Sequence, residues 1–186
     1  MPAEARISPT WKKQKLLVAL FLMAFGFYFF FDGAVGWPRS NARFLKHKEF
    51  VEAGHPEQWR EYARSRGWKE EPPHKLYGRS DIVGQFVFGG LLDLVGALLL
   101  AYWATQKNRV LRTDADAVFT PSGTRVPFSA ITGLGKKKWD SKGLATVRYE
   151  IDGRQGKFIV DDYKFEAEPT RAILTEIEER LVSRSV

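Results

Sequence analysis

The chain contains no cysteine, which excludes disulfides, thiolate catalysis and cysteine-ligated zinc or iron–sulfur centres. It also lacks a nucleophile motif of the Gly-x-Ser-x-Gly kind. The segment Gly133–Lys142 has glycines and lysines, but not in the spacing of a phosphate-binding P-loop. Asp161-Asp162 has no second carboxylate pair or histidine beside it that would complete an acid–base set. We therefore expect no catalytic residues and no enzyme.

Histidine is also scarce, and the three histidines lie between residues 47 and 74. His47, His55 and His74 have Glu52 and Glu57 nearby, but their spacing matches no familiar metal-ligand pattern. They fit exposed polar positions better. The sequence therefore predicts neither a metal nor a cofactor.

Long apolar runs are present, although 27% of the residues are charged. One run extends from Leu16 to Phe31, and the other covers the 23 residues from Ile82 to Ala104. A helix of that length rises about 35 Å, enough to cross a hydrocarbon core of about 30 Å. The first run reaches the same length if it continues to Trp37. The sequence predicts an integral membrane protein with transmembrane helices over 16–37 and 81–104.

The first run has a second interpretation, a cleaved signal peptide. Lys12, Lys13 and Lys15 would form its basic start, and Ala34-Val35-Gly36 would be its cleavage site. The length of the run and its many phenylalanines favour a membrane span instead.

The charge of the chain is strongly basic, with a formal net charge of +7. In a membrane protein this predicts contact with anionic lipid headgroups rather than nucleic acid. Basic residues near the ends of the spans are equally numerous on the two sides of the membrane, so their number does not decide the orientation. Their proximity to the membrane does. Lys13, Lys15 and Lys107 lie at the helix ends, which predicts a multi-pass protein of the inner (plasma) membrane with both termini cytoplasmic. Residues 1–15 are then a basic N-terminal tail.

The connection between the spans, residues 38–80, is too long for a simple turn. Phe44 to Val51 suggests one short amphipathic helix, and Pro56 opens another that ends at Gly67. The sequence predicts an external loop with short amphipathic helices.

After the second span the pattern changes to short alternating strands. Leu144–Ile151 alternates apolar and polar residues, and Asp152-Gly153 is a strong hairpin signal. Pro169 opens a helix with one apolar stripe, formed by Ile173, Leu174, Ile177 and Leu181. Residues 105–186 are therefore expected to form a small soluble α+β domain, an antiparallel sheet with a C-terminal helix.

This domain resembles a known group of proteins. Val118-Phe119-Thr120-Pro121-Ser122-Gly123, followed by Val126-Pro127-Phe128-Ser129-Ala130-Ile131, is similar to the pleckstrin-homology-like (PH-like) domains of bacterial membrane proteins in which such a domain follows paired transmembrane helices. The resemblance covers Asn108 to the C-terminus. It implies a scaffold or interaction module and brings no catalytic residues with it.

An acidic residue, Asp93, falls near the middle of the second span. A carboxylate there is costly, which makes it a candidate functional residue. It belongs to a narrow stripe of small and polar residues that predicts a helix-packing face, with Tyr28 on the first span as the nearest hydrogen-bond donor. The expected packing residues are Gln85, Gly89, Asp93, Gly96, Ala97 and Tyr28.

A basic run in the C-terminal part is the second candidate site. Its residues are Lys136, Lys137, Lys138, Trp139 and Lys142. They could lie on anionic headgroups, or they could be a solvated strand or hairpin tip.

These features lead to three functional interpretations. The first is a non-catalytic accessory or scaffold protein that docks through its transmembrane helices and presents the PH-like domain to a partner, either another membrane protein or a second copy of the chain. The second is an anchored module that binds membrane lipids through Lys136–Lys138. The third is proton or ion handling at Asp93.

Overall fold

The computed structural model describes residues 2–183. Met1, at the start of the expected tail, and residues 184–186, at the end of the expected domain, lie outside the described residues. The chain divides into two compact units, one formed by Met1–Leu17 together with Leu99–Val186 and the other by Val18–Leu98. Both ends of the chain therefore belong to the same unit.

Two helices are long and apolar enough to cross a membrane, which confirms that part of the expected fold. Helix α1 covers Pro9–Phe31 and helix α4 covers Arg79–Gln106. Only 17% of the apolar window of each helix is buried. The core helix of a soluble protein would bury its apolar residues, so these exposed surfaces are typical of helices that face lipid.

Helix α1 does not end where the external loop was expected to begin. A π-helical turn, Asp32–Gly36, joins it directly to helix α2, Trp37–Glu52, giving 44 helical residues without a break. Pro38 would normally clash with the preceding turn of an α-helix. The wider π turn lies immediately before it and accommodates the ring, so α2 is an extension of α1 rather than a separate short helix.

The remainder of the connection is a 3₁₀ turn at Pro56–Gln58, helix α3 at Trp59–Ser65 and an irregular return to Arg79. Side chains on the helices fix this return by bonding its backbone. Asn41 both donates to Tyr77 O and accepts from Tyr77 N, each at 2.8 Å. Trp59 is buried and donates from Nε1 to Glu70 O at 2.7 Å. The segment between the long helices is therefore a packed cap.

Within residues 2–183, the other unit contains seven strands and a C-terminal helix, which confirms the expected antiparallel sheet region closed by a helix. The strands form two antiparallel sheets, with orders β1-β2-β3-β4 and β5-β6-β7. Their bounds are Glu4–Arg6 (β1), Val110–Thr113 (β2), Ala117–Phe119 (β3), Arg125–Pro127 (β4), Ile131–Lys138 (β5), Leu144–Ile151 (β6) and Arg154–Asp161 (β7). A 3₁₀ turn, Phe128–Ala130, precedes β5, and a four-residue helix α5, Trp139–Lys142, follows it.

The N-terminal segment is part of this domain, whereas the sequence analysis treated residues 1–15 as a tail. Strand β1 pairs antiparallel with β2, with Ala5 opposite Leu111. Ile7 forms a bridge to Phe165 and is 1% exposed. The segment is too short and too polar to reveal a strand by its periodicity. Its hydrogen bonds come from a partner strand about 100 residues away, which a local sequence pattern does not show.

Helix α6, Ala167–Val182, closes the domain with the expected apolar stripe. Ile173, Leu174 and Ile177 are buried in one core with residues from both sheets. Trp11, from the first turn of α1, is 4% exposed and lies in the same core. The starting turns of the long helix are thus held by the folded domain.

Candidate functional site

Asp93 lies against Gly26 where α4 packs on α1. A methyl group at Gly26 would lie 2.7 Å from Asp93 Cγ and 2.9 Å from Gly89 O, so only glycine leaves room for the carboxylate. Asp93 Oδ1 is buried and has no hydrogen-bond partner among the described residues. The acid is therefore enclosed by the close approach of two backbones.

Glycines bring the two helices equally close elsewhere along the contact. A methyl group at Gly89 would lie 2.9 Å from Gly26 O, and one at Gly96 would lie 3.0 Å from Ala19 O. At Gly33 the nearest neighbour would be Gln85 Cβ at 3.1 Å. Small residues permit this approach, which is the usual basis of helix association in a membrane.

The spacing of the contact differs from the four-residue stripe expected from the sequence. On α1 and the π turn that follows it the buried small residues are Ala19, Gly26 and Gly33, and on α4 they are Gly89 and Gly96, seven residues apart in each case. Four-residue steps rotate by about 40° around a helix, so a stripe built on them soon leaves the contact. A seven-residue repeat keeps one face towards the partner helix. Ala97, expected in the contact, is accordingly exposed.

Sequence reasoning missed the residues on α1, although their signal is present. Ala19, Gly26 and Gly33 are the small residues that recur at intervals of seven within a run otherwise dominated by large apolar side chains. A search for matching heptads on both spans would have paired them with Gly89 and Gly96.

Tyr28 does not donate a hydrogen bond to Asp93. Its side chain is 56% exposed, and its ring stacks on Phe25 at 6.2 Å. Tyr28 is two residues from Gly26, which places it about 200° around α1 from the contact. The lean of its side chain along the helix axis cannot bring the hydroxyl round to the other face.

This arrangement matches a helix-packing face. A proton pathway needs a series of ionisable groups, and no ion pair or hydrogen bond of Asp93 is found between residues 2 and 183. Over the same residues, no group of three or more acidic or histidine side chains could hold a metal ion.

The basic run lies at the end of a strand, beside the short helix that leads into β6. Lys136, Lys137 and Lys138 lie at the end of β5, an edge strand of the three-stranded sheet. Lys136 Nζ forms an ion pair with Glu178 at 2.6 Å, and Trp139 packs against the hydrophobic core. Lysines on an edge strand commonly discourage pairing with other strands. Lys137, Lys138 and Lys142 are exposed and without an ion pair in the described part of the chain.

Comparison with known proteins finds no matching family model, curated protein or solved structure. Function must therefore be inferred from the chain's own geometry.

Proposed function

We propose that this chain is an integral membrane scaffold or accessory protein, without catalytic activity, that holds a folded domain at the membrane surface and presents it to a partner protein. One observation carries the proposal: both long helices start or end inside the fold of that domain. Strand β1 is separated from α1 by two residues, and α4 from β2 by three. Such connections leave no flexible tether.

The core of the domain supports a fixed attachment. Trp11 on α1 is buried in it, and Trp103 on α4 packs against it from the side. Trp103 Nε1 also donates to Lys12 O at 3.0 Å, which links the two helix ends. A domain whose own fold includes these helix ends stays attached to them, as a scaffold requires. A cleaved signal peptide fits poorly, because cleavage near Gly36 would remove β1 and Ile7 from the core.

The distribution of charge supports the proposed location, the inner (plasma) membrane with both termini cytoplasmic. Lys13, Lys15 and Lys107 lie at the ends of the long helices in the unit that contains both termini, whereas Arg79 is the basic residue that lies comparably close in the other unit. Basic residues close to a span favour the cytoplasmic side. The two sheets and closing helix also support the proposal that this domain is PH-like.

Site-specific photo-crosslinking tests the scaffold function. A photoreactive phenylalanine analogue would replace Phe21 or Phe88, which are 66% and 61% exposed on the long helices, or Ile159, which is 53% exposed on β7. In cells, we expect a discrete adduct, with a partner protein or with a second copy of the chain, from Phe21 or Phe88 on the helices. We expect another adduct from Ile159 in the domain. A chain that forms no adduct from any of the three positions, while remaining membrane-bound, contradicts the proposal.

The lipid-binding alternative is favoured by one observation, the exposure of Lys137 and Lys138 without ion pairs in the described residues. The Lys136–Glu178 pair and the packing of Trp139 leave a smaller basic surface than the sequence suggested. Vesicle binding of the chain should fall on Lys137→Gln plus Lys138→Gln substitution if this surface contacts headgroups.

A further inference from the structure

Lys164 occupies an unusual position between the ends of the two long helices. Its ammonium group lies 5.5 Å from the centre of the Trp11 ring, 5.7 Å from that of Tyr102 and 5.9 Å from that of Phe165. It donates to Gln106 Oε1 at 2.8 Å. Three aromatic faces and one amide therefore surround a single cation.

The fold holds this lysine in place through its backbone. Lys164 N donates to Asp161 Oδ1 at 2.9 Å, and Lys164 O accepts from Ser8 N at the same distance. Gln106 is only 9% exposed, so its amide oxygen is fixed as well. The ammonium group is thus positioned before any ligand arrives.

Across residues 2–183, no acidic side chain forms an ion pair with Lys164. Lys12, which follows Trp11, and Lys107, which follows Gln106, belong to no ion pair among these residues either. Lys107 Nζ lies 4.8 Å from the centre of the Trp103 ring, and Trp103 Nε1 bonds the backbone of Lys12. A partly buried cation without a counter-ion is unfavourable, which points to an anion that binds there.

The position of the Lys164 ammonium group and the number of its hydrogen-bond donors indicate the kind of anion. An ammonium group has three donors, and Gln106 uses one. Tryptophan and tyrosine at the ends of apolar helices lie at the level of the lipid headgroups. We propose that Lys164, with Lys12 and Lys107, binds the phosphate of an anionic phospholipid. This inference rests on the proposed insertion of the long helices in a membrane.

Native mass spectrometry of the full chain in detergent tests the inference, with phosphatidylglycerol and phosphatidylcholine as probes. We expect the chain to bind phosphatidylglycerol in preference to phosphatidylcholine. Lys164→Gln should weaken phosphatidylglycerol binding about fivefold, the order expected when one basic residue next to an anionic headgroup is removed. The matched control is Lys157→Gln, which removes the same charge from an exposed position on β7 and should leave this binding unchanged.

Lys107→Gln covers the case in which Lys164→Gln disturbs folding, because Lys107 Nζ lies over the Trp103 ring and forms no ion pair among residues 2–183. Its thermal unfolding should match the unsubstituted chain while its lipid binding falls. Equal binding of the two lipids, or equal losses in Lys107→Gln and Lys157→Gln, overturns the inference. Displacement of the lipid by excess inorganic phosphate would assign the site to free phosphate and overturn it too. Alkaline carbonate extraction tests the proposed membrane insertion separately from the phospholipid site. A chain that remains in the membrane but binds both lipids equally contradicts the phospholipid site and leaves the membrane insertion standing.

Discussion

Gly26 provides the sharpest test of the helix contact at the scale of one residue. In Gly26→Ala the added methyl group would meet Asp93 and the backbone of Gly89, so the helices must separate. Overpacking of this kind typically costs about 1–3 kcal/mol. We expect that loss in the free energy of unfolding of the purified chain, measured by titrating micelles with sodium dodecyl sulfate and following circular dichroism.

Gly90→Ala is the matched control, since it adds the same group to α4 where nothing lies within 4 Å. It should leave the stability unchanged or raise it slightly, because alanine favours a helix more than glycine does. Equal losses in the two variants would show that the close approach at Gly26 does not stabilise the pair.

Asp114 gives a prediction about pH. Its carboxylate accepts from Asp116 N at 2.8 Å and from Ala117 N at 2.7 Å, and the first of these bonds is the main reason that its pKa lies below the ordinary value. A lowered pKa in the folded state stabilises the fold above the unfolded pKa of about 3.9, and this contribution is lost as the pH falls through the folded pKa. Asp114→Asn should therefore reduce the loss of thermal stability on acidification below about pH 4, measured by circular dichroism. Identical pH profiles would contradict this role.

The candidate residues show what a sequence pattern reaches and what it misses. Asp93 could be found because an acid within an apolar run is conspicuous in any sequence. Lys164 could not, because it is a single lysine outside the basic runs, and two of its three aromatic neighbours come from helix ends about 60 and 150 residues away in the chain. Only the fold collects these side chains around one cation.

Strand β1 yields the main prediction at the scale of an element. A fragment beginning at Asn108 lacks Ala5 and Ile7, which are 0% and 1% exposed in the core, and leaves the edge of β2 unpaired. We expect that fragment to melt without cooperativity. Joining residues 2–8 to residue 108 through a short glycine–serine linker should restore a cooperative transition by circular dichroism.

The linked fragment carries its own control. Ile7→Asp places an unpaired charge in the core and should abolish the restored transition. Cooperative unfolding of the fragment from Asn108 alone, at the same temperature as the linked form, would contradict the role assigned to β1.

The elements that sequence analysis placed correctly have local signals. Strand β6 alternates over its full length, and the hairpin after it has Asp152 and Gly153 with φ of 53° and 74°, as their residue types predict. Strand β5 was missed because its glycines and lysines resemble a loop, and it becomes a strand by pairing with β6 across two irregularities in register. The extension of α1 into α2 was missed because aspartate, two glycines and a proline together usually end a helix.

At the scale of the whole molecule, the fold places both termini in one domain. If the long helices span a membrane, this domain lies either in the cytoplasm or outside the cell. The unit with the termini has Lys13, Lys15 and Lys107 at the helix ends, which favours the cytoplasm for that unit and the exterior for the cap between the helices. Because the chain contains no cysteine, its orientation in the membrane can be tested with single introduced cysteines. Single cysteines would replace Ser65, exposed in the cap, and Ser141, exposed in the domain.

We expect an impermeant maleimide to label Ser65→Cys in intact cells and to label Ser141→Cys only after the membrane is opened. Both positions are exposed, so a difference in labelling reports the side of the membrane rather than burial in the fold. Labelling of both variants after permeabilisation is the control for reactivity. If Ser141→Cys reacts in intact cells and Ser65→Cys does not, the orientation is inverted, and the positively charged domain lies outside. Equal reaction of both in intact cells would mean that the long helices do not separate the two units across a membrane.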